Sequence, residues 1–307
     1  LASFEPSSTV KFMQALMREA IPGSSFGAHF RRTRIWLYAV AHPRAARHWF
    51  AALAGNPLLA DLVRRDRRVA ELPFHSFGDI RASATVRAAA LRDHFALASR
   101  LLDTQFLHRL YVEEESYVLA QHDTFCVELR KVTRCRREGL LTVAFRDAAD
   151  GIDLAWATVT LLERANAHVE LFIGGLQGPS GTQRERVRAA TRTGNGLRPK
   201  AAVIEAVCAL GRCLGIARLT AIARHAHISS AKADVFVADY DAFWRELGGI
   251  EADGLFELPR APRHREITEV PSNKRSAFRR RQALIAEMNR QIEHNIARVL
   301  SSESGRG

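Results

Sequence analysis

His168-Val169-Glu170-Leu171-Phe172-Ile173-Gly174-Gly175-Leu176-Gln177-Gly178-Pro179, read with Ile216 to Ala223, decides the fold. The first stretch is rich in β-branched and apolar residues and reads as a strand. Its glycines permit a sharp turn, or the close approach of a ligand to the backbone. Pro199 suits the first turn of a subsequent helix, Val203, Val207, Leu210 and Leu214 line one face of it, and Gly215 closes it. Ile216 to Ala223 is a second strand. Strand, helix, strand is a crossover, so these two strands pair in parallel.

The sequence upstream adds antiparallel strands. Leu140 to Phe145 and Leu154 to Leu161 flank the turn Asp147 to Gly151 and read as a hairpin, with Phe125 to Leu129 before it. Further upstream the helical period dominates. Residues 8 to 53 read as helix stopped at Ile21-Pro22-Gly23 and broken again at His42-Pro43, and 80 to 110 as one long alanine-rich helix in which His94 is a core or interface histidine. Downstream, Leu255 to Leu258 is a short strand. Lys274 to Leu300 is an amphipathic helix carrying Ile285, Met288, Ile292, Ile296 and Val299. The expected class is α/β (α+β): a mixed, mainly antiparallel sheet with a GNAT-like strand-helix-strand crossover. A helical N-terminal region, 1–115, precedes an α/β domain, 116–307, that ends in the basic helix.

The 307 residues are 47% hydrophobic, which excludes wholesale disorder. There are 45 Lys+Arg against 33 Asp+Glu, a formal net charge of +12. Such a field favours anionic partners: tRNA, an acyl-carrier protein or an anionic lipid surface. Cys126, Cys135, Cys208 and Cys213 form no C-x-x-C pair and read as buried thiols in a reducing compartment, with no metal set. The sequence contains no apolar run of about 18 residues, the length of a membrane span. The expected location is the cytoplasm, with peripheral attachment to the inner membrane as the alternative.

Several strings together carry a family resemblance. They are Phe172 to Pro179, Gly196-Leu197-Arg198-Pro199-Lys200, Tyr240-Asp241-Ala242-Phe243-Trp244 and Pro271-Ser272-Asn273-Lys274-Arg275 with Arg279-Arg280-Arg281, and His42-Pro43-Arg44 near the start. In combination they resemble the VirK/YbjX family of bacterial proteins of unknown function. That resemblance implies a bacterial protein, in a family some of whose members are associated with virulence and with resistance to cationic peptides. It carries over no catalytic residue. The order hairpin, strand, loop, helix, strand also resembles the centre of the GNAT acyltransferase fold, in which a glycine-rich loop cradles a pyrophosphate. Here Arg192-Thr193-Gly194-Asn195-Gly196 is one residue shorter than that loop's usual pattern. This resemblance implies a thioester of coenzyme A or of a carrier protein, or an aminoacyl-tRNA, as donor.

The candidate donor or anion site is Gly174 and Gly175 together with Arg188, Arg192, Gly194, Gly196, Arg198 and Lys200. The exposed N–H groups and dipole of a helix N-terminus favour phosphate or carboxylate there. His225, directly after a strand, is the candidate general base, with Glu170 as the alternative base and Tyr240 as a general acid. Lys274, Arg275, Arg279, Arg280 and Arg281 form a basic surface. The leading expectation is a GNAT-like acyl- or aminoacyl-transferase with a polyanionic activated donor. The competing one is a non-enzymatic basic accessory protein on anionic membrane or nucleic acid.

Overall fold

The computed structural model describes residues 11, 14–15, 26–164, 168–179, 181–230 and 239–301. Helices α1 (Phe26–Ala41), α2 (Pro43–Gly55), α3 (Pro57–Arg65), α4 (Ala84–Leu101) and α5 (Thr104–Tyr111) come first. Strands β1 (Tyr117–Gln121), β2 (Phe125–Lys131), β3 (Leu141–Asp147), β4 (Asp153–Glu163) and β5 (Val169–Gln177) come next. Helices α6 (Arg184–Thr193) and α7 (Pro199–Cys213) then lead to β6 (Arg218–Ile222). Last come α8 (Tyr240–Glu246), β7 (Ile250–Ala252), β8 (Leu255–Leu258) and α9 (Arg275–Ala297).

The eight strands make one sheet in the order β1-β2-β3-β4-β5-β6-β8-β7. Among the described residues, only β5 and β6 pair in parallel, and every other strand pair is antiparallel. The crossover read from the sequence is therefore present, and α7 makes it. Its Gly211 packs against Leu171 on one face of β5, while Thr160, Leu162 and Phe172 line a space beside α4 on the other face. The sheet is thus covered on both sides, and one continuous cluster of buried residues runs from Ile35 through the strands to Val299.

His94 shows why α4 lies where it does. Pairing of β3 with β4 begins at Leu141–Val159, so the Leu161 amide has no β3 partner. His94 Nδ1 accepts that N–H at 2.9 Å, and its Nε2 donates to the Tyr111 hydroxyl at 2.5 Å. Burial drives the His94 pKa down to about 3, so the ring stays neutral and keeps this tautomer.

Two expectations need correction. The stretch 80–110 is two helices, because Leu102 is extended and Asp103 caps a new start, its side chain accepting from Phe106 N at 2.8 Å. The thiols are not uniformly buried. Cys126 and Cys208 are, whereas Cys135 and Cys213 are half-buried. Most of the N-terminal part of the 8–53 reading, residues 8–25, lies outside the described residues apart from 11, 14 and 15.

Glu205 on α7 is buried, with His264 Nε2 at 3.1 Å. Burial pushes its carboxyl up to about 7, against the pull of Arg212. Burial, then Arg281, pushes His264 down. A raised carboxyl in the folded state stabilises the fold fully below its unfolded pKa, and that contribution is lost as pH rises through about 7. Denaturation of Glu205→Gln is expected to lose this slope between about pH 4.5 and 7, a difference on the order of a few kcal/mol at the upper end. An unchanged slope would remove Glu205 as its source.

Candidate functional site where two strands part

Pairing of β5 with β6 runs from Glu170–Arg218 to Ile173–Ala221 and stops. Beyond it β5 continues to Gln177 beside β4, with a register shift at Thr158/Val159 that leaves Gly174 as the extra residue. Such a bulge bends the strand and re-aims the residues beyond it. The ladder between the parallel strands therefore ends at Ile173, which leaves a gap in strand pairing along the carboxyl end of β5. Ligands in open α/β sheets gather beyond carboxyl ends of this kind.

The turn between β2 and β3 fills one side of the bulge. A Cβ at Gly174 would overlap the Glu138 carbonyl oxygen, and one at Gly175 would overlap the Glu138 carboxylate. Both glycines are needed for close approach, since neither has a positive φ. Glu138 is thereby buried against the sheet. Its carboxylate accepts from Gln177 Nε2 at 3.2 Å and from the Thr158 hydroxyl at 3.4 Å. His227 Nε2 lies 3.4 Å away. His227 Nδ1 accepts the Ser229 amide at 3.1 Å, so a neutral His227 carries its proton on the nitrogen that faces Glu138.

Tyr240, at the start of α8, closes the gap from the β6 side. Its hydroxyl accepts the Leu176 amide at 3.3 Å and Gln177 Nε2 at 2.9 Å. Its ring meets that of His227 edge-on at 5.5 Å. Burial, then the Glu138 carboxylate, raises the Tyr240 pKa well above the ordinary phenol value, so it holds its proton. Cys135 is pushed up to about 11, first by burial and then by Glu138. It is a thiol at neutral pH and is not poised as a thiolate nucleophile. The cluster thus combines a carboxylate, an imidazole and a neutral phenol, the groups that proton transfer uses.

The basic residues gather at the same end. The α6–α7 turn holds Asn195 at φ 54° and Gly196 at φ 90°. Arg280 Nε donates to Asn195 Oδ1 at 2.9 Å, and a Cβ at Gly196 would meet Arg281 at 3.4 Å. The turn and the head of α9 are therefore neighbours. Lys200, in the first turn of α7, reaches back to the end of β5, where a Cβ at Gly178 would touch its Cε at 3.5 Å. Its amine is half-buried, meets no carboxylate among the described residues, and is pulled down in pKa by burial.

Other candidate residues lie apart from this cluster or are already engaged. His225 is exposed, its Nδ1 4.0 Å from Glu251. Glu170 is fully buried and takes both Arg164 nitrogens at 2.8 Å and the Thr220 hydroxyl at 2.6 Å, which suits a strut across β5 and β6. Arg188 and Arg192 both reach the exposed Glu185, and Arg198 reaches Glu246. Lys274, Arg275 and Arg279 are exposed along the head of α9. Sequence reasoning missed Glu138 and Gln177, and of the two histidines after β6 it chose His225 rather than His227. Glu138 stands in a basic stretch that carries no period, and only the unexplained Gly174-Gly175 pair hinted that something lies on the strand.

Comparison with known proteins agrees with the motifs. Residues 25–294 match a family described as "Protein of unknown function (DUF535)". The chain belongs to this family. It is 28% identical to "Uncharacterized protein YbjX" of Escherichia coli over 306 residues, 94% of this chain and 92% of that relative. An "Uncharacterized protein" of Haemophilus influenzae is 32% identical over 141 residues, 45% of this chain and 48% of its own length. The VirK/YbjX resemblance read from the motifs therefore holds, and it brings no activity with it. In this DUF535 chain the site rests on geometry alone.

Gly174→Ala tests that geometry. The added methyl would overlap the Glu138 backbone, which a rotamer change cannot relieve, so a loss of about 3 kcal/mol or more in denaturant unfolding is expected. A neutral substitution would mean that the Glu138 turn lifts freely from the bulge.

Proposed function

We propose that the chain is a GNAT-like acyl- or aminoacyl-transferase with a polyanionic activated donor. The observation that carries this reading is the Tyr240 hydroxyl on the Leu176 amide, in the gap that opens where β5 and β6 part. A neutral phenol beside a strand amide is suited to the carbonyl and leaving group of an ester or thioester. The amine or hydroxyl of an acceptor attacks the donor carbonyl carbon, and the bond from that carbon to the leaving sulfur or oxygen breaks. Tyr240 gives its proton to the leaving atom. The proton of the attacking group goes to a base. His225, exposed beyond β6, is the base an acceptor from solvent meets, while Glu138 and His227 hold Gln177 and Tyr240 in place. The first turn of α7, Lys200 and the paired Arg280 and Arg281 receive the donor's phosphates. Coenzyme A, an acyl-carrier protein and tRNA all supply such phosphates.

Acetyl-coenzyme A, an acyl-carrier-protein thioester and an aminoacyl-tRNA, each labelled in the acyl group, test the reading with the full chain. Loss of label from one donor is expected, slowed about a hundredfold or more by Tyr240→Phe with donor affinity nearly unchanged. His225→Ala is expected to lower turnover as well. Turnover equal in Tyr240→Phe and wild type, or no binding of any donor, overturns the proposal.

One observation favours the accessory reading on anionic membrane. Phe30, Leu37 and Val40 are 61%, 65% and 61% exposed along one side of α1, and Trp36 is exposed beside them. Arg32 stands on the same helix. An apolar stripe on a basic helix suits the plane of a lipid surface. Cosedimentation with phosphatidylglycerol vesicles is expected to fall sharply in Leu37→Glu and at about 0.5 M salt. Binding indifferent to both would end this second reading.

A further inference from the structure

A separate cavity lies on the α4 side of the sheet, with a volume of about 440 Å³, within the ordinary range of small-ligand pockets. Leu162, Phe172 and Leu255 form its floor, and Val86, Ala89 and Ala90 form its helical wall. The segment 77–82 divides it from the Glu138 cluster. Gly78 N donates to Arg137 O at 2.7 Å, and Ile80 N donates to Ala226 O at 2.9 Å.

Most charges around the cavity are matched within the chain. Arg81 bonds Asp79 at 2.6 Å and also faces the exposed Asp253. Arg164 is held by Glu170 at 2.8 Å, Asp93 by Arg92 at 2.6 Å, and Glu163 lies 4.0 Å from Arg100. Arg87 differs. Its half-buried guanidinium donates to two backbone carbonyls, those of Pro73 at 2.8 Å and of Ala82. It meets no carboxylate among the described residues, and burial alone pulls its pKa down. A second unmet group lines the same cavity. The Thr160 hydroxyl is fully buried and has no hydrogen-bond partner among the described residues.

A partly desolvated cation without a counter-ion and a buried hydroxyl without a partner both cost stability, and both are relieved by an anionic acceptor. The apolar floor and wall suit hydrocarbon. We propose that this cavity binds a small carboxylate with an apolar body, of the fatty-acid class, with its carboxylate on Arg87 and the Thr160 hydroxyl available to the same ligand. The site does not use Tyr240 and stands independently of the transferase reading.

Calorimetric titration of the full chain with decanoate, decanol and decyl phosphate tests this. Decanoate is expected to bind more tightly than either of the others. Arg87→Gln is expected to weaken it about tenfold or more, and Thr160→Val, which keeps the side-chain shape, about threefold to tenfold. Ala90→Trp, which fills the cavity from its wall, is expected to abolish binding while circular dichroism stays native. Arg87 also braces two carbonyls, so the decision rests on Thr160→Val and Ala90→Trp should Arg87→Gln fail to fold. Absence of decanoate binding, binding unaltered by Ala90→Trp, or equal or tighter binding of decanol or decyl phosphate overturns the assignment.

Discussion

Contact between the Glu138 turn and the bare backbone of Gly174 and Gly175 is the constraint on which the rest of the site depends. A strand residue with a Cβ at either position would hold the turn off the sheet. With glycine at both, the carboxylate reaches Gln177, Thr158 and His227 at once. A buried carboxylate is costly unless it is hydrogen-bonded, and here Gln177 and Thr158 donate to it while His227 Nε2 approaches to 3.4 Å. The bulge that brings Glu138 down lies directly after Ile173, where the β5–β6 ladder ends.

That placement explains why one sheet contains both a strut and an unpaired strand end. Before the bulge, Glu170, Thr220 and Arg164 tie the parallel pair together inside the fold. After it, the strands have no ladder between them, and a side chain from α8 supplies the missing acceptor to the Leu176 amide. The Trp244 indole donates to the Ile222 carbonyl at 3.0 Å, one turn further along the same short helix. Tyr240 and Trp244 of α8 therefore serve backbone groups of both strands. They anchor the helix to the core, and the same bonds place a phenol at the carboxyl end of β5.

Much of the fold was legible because periodicity dictates it. The run 168–179, the helix from Pro199 and the strand before Ala223 specify the parallel pair, and the Asp147–Gly151 turn specifies a hairpin. The break at Leu102-Asp103 was not legible, because a helical period continues across it and only the capping chemistry of Asp103 ends it. The site was half legible. Gly174, Gly175, Tyr240 and Lys200 stood in conspicuous strings, but the partner that gives the glycines their meaning is far away in sequence and lies in an irregular turn. Choosing between His225 and His227 from sequence was not possible either. Both come after the same strand, and tertiary packing alone buries one and exposes the other.

Net charge is a poor guide to where this chain meets anions, and the structure explains why. Arg188 and Arg192 share Glu185, Arg198 approaches Glu246, and Arg130 and Arg146 are absorbed by Glu128 and Asp153. The exposed pairs on Glu185 and Glu246 contribute little to stability and nearly cancel at a distance. Lys200 and Arg87 are different. Each is partly desolvated, each has its pKa pulled down by burial alone, and neither meets a carboxylate among the described residues. A cation left in that condition is less stable than one in water, and a bound anion recovers the difference. Lys200 sits at a helix start beside the end of β5, and Arg87 at a cavity with an apolar floor on the other side of the 77–82 segment. The first setting suits a hydrated phosphate, and the second suits an acid with a hydrocarbon body. Two cations thus direct attention to two chemistries that the sum of +12 does not distinguish.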